Sequence, residues 1–180
     1  MKHVKKSVLL WYSPQEMYDL VTRVRDYPKF LPWCEKAEVL SETEAEVTAR
    51  LTLRYAGLHH AFTTRNTHHE PERVVVKLVD GPFEMLEGEW RFNGLNAGAA
   101  EDAAPGPSAC KVELDLRYSF SSGALAALVS PVFDRIANTM VDSFVKRAEQ
   151  VYGARKWPRP WGPIVCGWRW LTRLGPGVWS

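Results

Sequence analysis

The 180-residue chain predicts a single α+β domain, in which a curved antiparallel sheet is covered on one face by a long C-terminal helix. Three observations carry this expectation. Several segments alternate strictly between apolar and polar residues, and short turns between them imply antiparallel neighbours. A long apolar stripe at helical spacing follows the last of them. The charge then changes character: residues 1–153 hold 18 Lys and Arg against 21 Asp and Glu, whereas residues 154–180 hold five basic residues and no acid. The expected domain is therefore 1–153, followed by a basic, Trp- and Pro-rich tail, 154–180, outside it.

The elements follow in order. After an opening strand, Ser13-Pro14-Gln15-Glu16 places a hydroxyl at the N-cap, Pro at N1 and Glu at N3, a capping box that starts a helix. Met17, Leu20, Val21 and Val24 give it an apolar face. Arg25-Asp26 interrupts that face, and a second short helical turn through Tyr27–Leu31 stops at Pro32. From Glu35 the period becomes two, most cleanly where Val47, Ala49, Leu51, Leu53 and Tyr55 alternate with polar residues. Gly57, Pro71-Glu72 and Gly81-Pro82 mark turns between further strands around Phe62, Val74–Val79 and Leu86–Phe92. Residues 94–109 lack any hydrophobic period and read as a loop, and Cys110–Phe120 is the clearest strand. The terminal helix presents Leu125, Val129, Val132, Ile136, Met140, Phe144 and Ala148, with Phe133, Ala137 and Val151 beside them; Pro131 is expected to kink its start.

Composition narrows the function classes. No stretch is long and apolar enough to span a bilayer, and Val8–Trp11 after Lys2, Lys5 and Lys6 is too short for a signal-peptide core, so a cytoplasmic protein is expected. Cys34, Cys110 and Cys166 fit neither a disulfide framework nor a CxxC metal pair. The pairs His59-His60 and His68-His69 point to opposite strand faces within each pair, and one strand joining them would hold the pairs ~30 Å apart, so no metal site is expected. Glu87, Glu89, Glu113 and Asp115 alternate with core residues and face outward, which removes the obvious acid/base pair. No GxSxG, HExxH, P-loop or GxGxxG pattern occurs. Catalytic residues are therefore expected to be absent.

Several blocks, Tyr27–Cys34, Phe62-Thr63-Thr64-Arg65-Asn66, Gly81-Pro82-Phe83 with Leu86–Trp90, and Pro131–Phe133 through Met140–Val145, resemble the coenzyme Q-binding, START-like (polyketide cyclase/Bet v 1-like) family that includes the ribosome-association toxin RatA. The similarity runs in order from about His3 to Gly153. The resemblance implies a helix-grip fold with an apolar cavity between sheet and helix. Its implied function is binding of ubiquinone or a similar prenyl lipid in support of respiration, with no cofactor required. The implied alternative is a toxin that binds the large ribosomal subunit, and a polyketide-cyclase-like enzyme ranks below both. Peripheral contact with the inner membrane accompanies the lipid role; no DNA partner is expected.

On that fold Phe62, Leu86, Trp90, Phe133, Ile136, Met140 and Phe144 are candidates for the cavity lining. Thr64 and Asn66 share the strand face of Phe62 and are candidate polar anchors for a ligand head group, while Arg65 points away toward an acidic neighbour. Tyr27, Phe30 and Trp33 with Pro28 and Pro32 form either a rigid cavity rim or a packed corner, and Trp33 is the candidate ligand contact there. Tyr55 and Tyr118 are further inward polar positions. The tail interleaves Trp157, Trp161, Trp168, Trp170 and Trp179 with basic residues, a composition suited to an anionic membrane surface or RNA, or to an extension with little selected structure.

Overall fold

A computed structural model of the chain describes residues 1–55, 57–95 and 109–155, except for the side chains of Leu58 and Leu125. The chain runs β1 (Lys2–Leu10), α1 (Pro14–Thr22), a 3-10 helix (Val24–Lys29), β2 (Cys34–Glu42), β3 (Glu46–Tyr55), β4 (Leu58–His69), β5 (Arg73–Asp80), β6 (Phe83–Gly94), β7 (Cys110–Phe120) and α2 (Gly123–Tyr152). This is the expected order. Most of the expected loop before Cys110, together with Cys166 and the Trp-rich part of the tail, lies outside the described residues.

All seven strands form one antiparallel sheet in the order β1-β7-β6-β5-β4-β3-β2. Hairpins account for every neighbour except β1, which closes against β7 with Val4 opposite Leu116 and Val8 opposite Val112. Four bulges bend the sheet, leaving Glu35 and Leu40 in β2, Val79 in β5 and Glu84 in β6 without a direct partner. The exposure of Leu40 and Val79 follows from this, since a bulge residue loses the register that would turn it inward. The bulge at Glu84 also resets the alternation, so that Phe83 and Leu86 both face the core.

The capping box is formed: Ser13 Oγ accepts from the Glu16 amide at 3.1 Å, and Glu16 Oε2 accepts from the Ser13 amide at 2.8 Å. The second turn begins earlier than its sequence suggests, at Val24, because Arg23 leaves helical geometry and the next residues tighten to 3-10. In α2 the buried face is centred on Phe133, Ala137, Val141, Phe144 and Ala148. Val141 joins the core unforeseen, Val132 and Met140 are half-buried, and Val151 is exposed.

Candidate functional site

Between the concave face of the sheet and α2 lies an internal cavity. Its floor is built from alternate residues of five adjacent strands: Ala49 and Leu51 of β3, Phe62, Thr64 and Asn66 of β4, Val76 of β5, Leu86, Gly88 and Trp90 of β6, and Leu114 and Leu116 of β7. Phe133, Ile136 and Met140 of α2 form the roof, and Val24, Tyr27 and Trp33 close one end. Each strand contributes every second side chain, so the period-two pattern that buries the core also supplies the wall. Gly88 keeps the floor open: a Cβ there would stand 3.1 Å from Leu116 Cδ1.

Nine of the ten residues expected at the site, Trp33, Phe62, Thr64, Asn66, Leu86, Trp90, Phe133, Ile136 and Met140, meet around this one space. Phe144 does not border it. Its ring stands behind the wall, 5.1 Å from Phe30, 5.2 Å from Trp90 and 5.5 Å from Tyr27, and holds those aromatics in place. Thus the Tyr27–Trp33 segment is a packed corner whose inner side is cavity wall. Tyr27, expected in either a rim or a packed corner, borders the cavity and donates its hydroxyl to the Val21 carbonyl at 2.6 Å.

The cavity offers about 80 Å³ to the centre of a water-sized molecule. A water needs ~10–15 Å³ on that measure, so the cavity as it stands holds a few small molecules and must widen for anything larger. Met140 is the wall residue best suited to yield, since its unbranched side chain has three rotatable bonds.

Two polar atoms at the wall are conspicuous. Trp33 Nε1 and Asn66 Oδ1 are buried and have no hydrogen-bond partner among the described residues. Leaving such a group unmet costs roughly 1–3 kcal/mol. Ser130 Oγ is a third such atom, but Ser130 does not border the cavity.

The remaining titratable groups are turned elsewhere. Tyr118 is fully buried, and its hydroxyl donates to the Asp134 carboxylate, which also pairs with Lys2; burial and then that hydrogen bond push the phenol above its ordinary value. Burial pushes the thiols of Cys34 up to about 11 and Cys110 up to about 12, leaving both protonated and unreactive at neutral pH. One strand, β4, carries both histidine pairs; His59 meets Glu35 at 2.9 Å, and the His68 ring sits edge-on to Tyr18. Outside the cavity, Glu89 pairs with Arg73 and Arg91, Asp115 with His3, Lys5 and Arg117, and Arg65 with Glu46. No helix among the described residues is long and apolar enough to cross a membrane.

Residues 10–145 match the family model described as polyketide cyclase / dehydrase and lipid transport. The chain is 40% identical over 151 residues to the ribosome association toxin RatA of Pseudomonas aeruginosa, covering 84% of this chain and 98% of that one. It is 29% identical over 154 residues to the mitochondrial coenzyme Q-binding protein COQ10 homolog B of Xenopus laevis, covering 85% and 60% respectively. A solved START superfamily protein from Mycobacterium smegmatis superposes with a TM-score of 0.56 at 19% identity, over 82% of this chain and 97% of that one, a likeness of fold.

Proposed function

Because the chain belongs to the polyketide cyclase / dehydrase and lipid transport family, we propose that it holds a ubiquinone-type or other prenyl-lipid ligand in the cavity beneath α2, without transforming it. The observation that carries this reading is the composition of the wall. Apolar and aromatic side chains dominate it, and its polar members Tyr27, Trp33, Thr64 and Asn66 orient a ligand oxygen more readily than they transfer a proton at neutral pH. The name of the Xenopus relative supplies the ligand class. Burying several hundred Å² of prenyl surface at ~25 cal/mol per Å² yields ~10 kcal/mol before ordering costs, enough to offset widening the cavity.

On this reading no cofactor is required, the ligand-binding domain is residues 1–153, and the tail beyond it is an appendage. The protein works in the cytoplasm, with peripheral contact at the inner membrane where such ligands partition. A second reading, association with the large ribosomal subunit, is favoured by the 40% identity to RatA. The pairing of Lys5, Arg73, Arg91 and Arg117 with carboxylates speaks against it, because a phosphate-binding face needs unneutralised cations. An enzymatic role rests on the family description and lacks an acid/base pair at the wall.

Trp33 and Trp90 border the cavity, so titration with a ubiquinone bearing two isoprene units, followed by tryptophan fluorescence, tests the proposal. Saturable quenching at one ligand per chain supports it. No saturable quenching, with cosedimentation of the protein on large ribosomal subunits, supports the second reading.

A further inference from the structure

We propose that Trp33 and Asn66 are the polar anchors of the cavity and that together they select a hydroquinone over the corresponding quinone. This inference rests on the ligand-binding reading above. Trp33 is 3% and Asn66 9% exposed, and both border the same space. A buried indole N–H can only donate, and a buried amide oxygen can only accept. Neither atom finds its complement among the described residues, and both residues border the cavity, where an oxygen of the ligand would supply it.

Both side chains are presented by firmly held backbone. The Trp33 carbonyl accepts from the Arg54 amide at 2.9 Å, which fixes the segment ahead of β2 against β3. Asn66 lies within the sheet, opposite Val47 on one side and Val76 on the other, and its outward neighbour Arg65 pairs with Glu46 at 3.3 Å. The anchors are thus set before the ligand arrives, which lowers the ordering cost of binding.

Any ligand oxygen satisfies Trp33. The Asn66 oxygen is selective, because it needs an O–H. A quinone carries only acceptors and would set a carbonyl or methoxy oxygen against it, whereas each hydroxyl of the hydroquinone both donates and accepts. With the amide turned end for end the same position would present a donor, which, like Trp33, either form satisfies. A preference for the hydroquinone therefore reports that the oxygen end of Asn66 meets the ligand.

The test is anaerobic equilibrium dialysis of the full chain against the two-isoprene ubiquinone and, separately, its hydroquinone. The expected result is about tenfold tighter binding of the hydroquinone, the size of one hydrogen bond, which raises the two-electron midpoint potential of the bound ligand by about 30 mV. Asn66→Leu abolishes the preference while the quinone still binds. Trp33→Phe weakens both forms by a similar factor. Equal affinities, or tighter quinone, in the unmodified chain overturn the selection while leaving the ligand-binding reading standing. Preference retained in Asn66→Leu overturns the assignment of Asn66. Binding of neither form overturns the ligand-binding reading itself.

Discussion

Arg155 grips the Glu16 carboxylate with both terminal nitrogens, Nη2 at 2.6 Å from Oε1 and Nη1 at 2.8 Å from Oε2, tying the chain that leaves α2 to the first turn of α1. The same guanidinium lies over the Tyr12 ring at 5.0 Å. Tyr12 donates to the Gly153 carbonyl and Tyr152 to the Glu16 carbonyl, so the contact is a small closed network.

Ending the chain after Gly153 is expected to leave a folded domain that melts lower than one ending after Arg155. The pair is solvent-accessible, so its loss amounts to about 1 kcal/mol, or roughly 2–4 °C in a domain of this size. Arg155→Ala in the full chain should give the same shift. Circular-dichroism melts check it, and precipitation of the shorter chain would make the tail part of the core.

Acid should weaken the fold in two stages. Burial, opposed by the charges of Glu42 and Glu70, lowers the His68 pKa below 6.5. Below pH 6.5 the unfolded chain therefore takes up a proton that the folded one resists, and stability falls with pH. Burial raises the Glu16 carboxyl, but the Arg155 and Ser13 hydrogen bonds with the Arg155 charge outweigh it and hold the group below 4.5. That contribution is present above pH 4.5 and is lost as pH falls through the depressed folded value. Urea midpoints against pH should show both stages, with His68→Gln removing the first and Arg155→Ala reducing the second, to which the other depressed carboxyls Asp26, Glu35, Glu89 and Asp115 also contribute.

Gly81→Ala should destabilise the protein by roughly 2–4 kcal/mol. Its φ of +147° lies where side chains are strained, and an added Cβ would fall 2.6 Å from Phe62 Cβ. Because Phe62 is a wall residue, the variant should also bind ligand more weakly, which urea denaturation and fluorescence titration together check. Unchanged stability would mean that the turn relaxes away from β4.

Much of this was legible in the chain because it is local. The capping box needs only Ser13 and Glu16, and the parity that sends Phe62, Thr64 and Asn66 inward and Arg65 outward needs only one strand. Properties that depend on three-dimensional closure were not. The bulge at Glu84 that turns Phe83 inward, the Tyr118–Asp134 hydrogen bond between β7 and α2, and the meeting of Arg155 with Glu16 leave no periodic signal. Phe144 has the right period for the wall, yet neighbouring aromatics screen it, and Val151 keeps the period yet is exposed. That Trp33 and Asn66 lack partners is a property of the assembled interior alone.

Met140→Arg should abolish ligand uptake with modest loss of secondary structure, since the half-buried roof position places a guanidinium at an apolar wall with no carboxylate among its lining residues. Met140→Leu, which keeps the apolar surface, should retain binding. Titration of both variants, with far-ultraviolet circular dichroism as the folding control, distinguishes a blocked cavity from a collapsed fold. Undiminished binding in the folded Arg variant would move the ligand away from α2.

The most direct measurement is mass spectrometry of an organic extract of the full chain, purified without detergent from cells that make ubiquinone. A cavity that holds a prenyl-quinone ligand predicts recovery of that molecule, chemically intact and near one per chain, with Met140→Arg purified in parallel returning none. An extract free of any prenyl lipid, from protein that also fails to take up added quinone, would contradict the account.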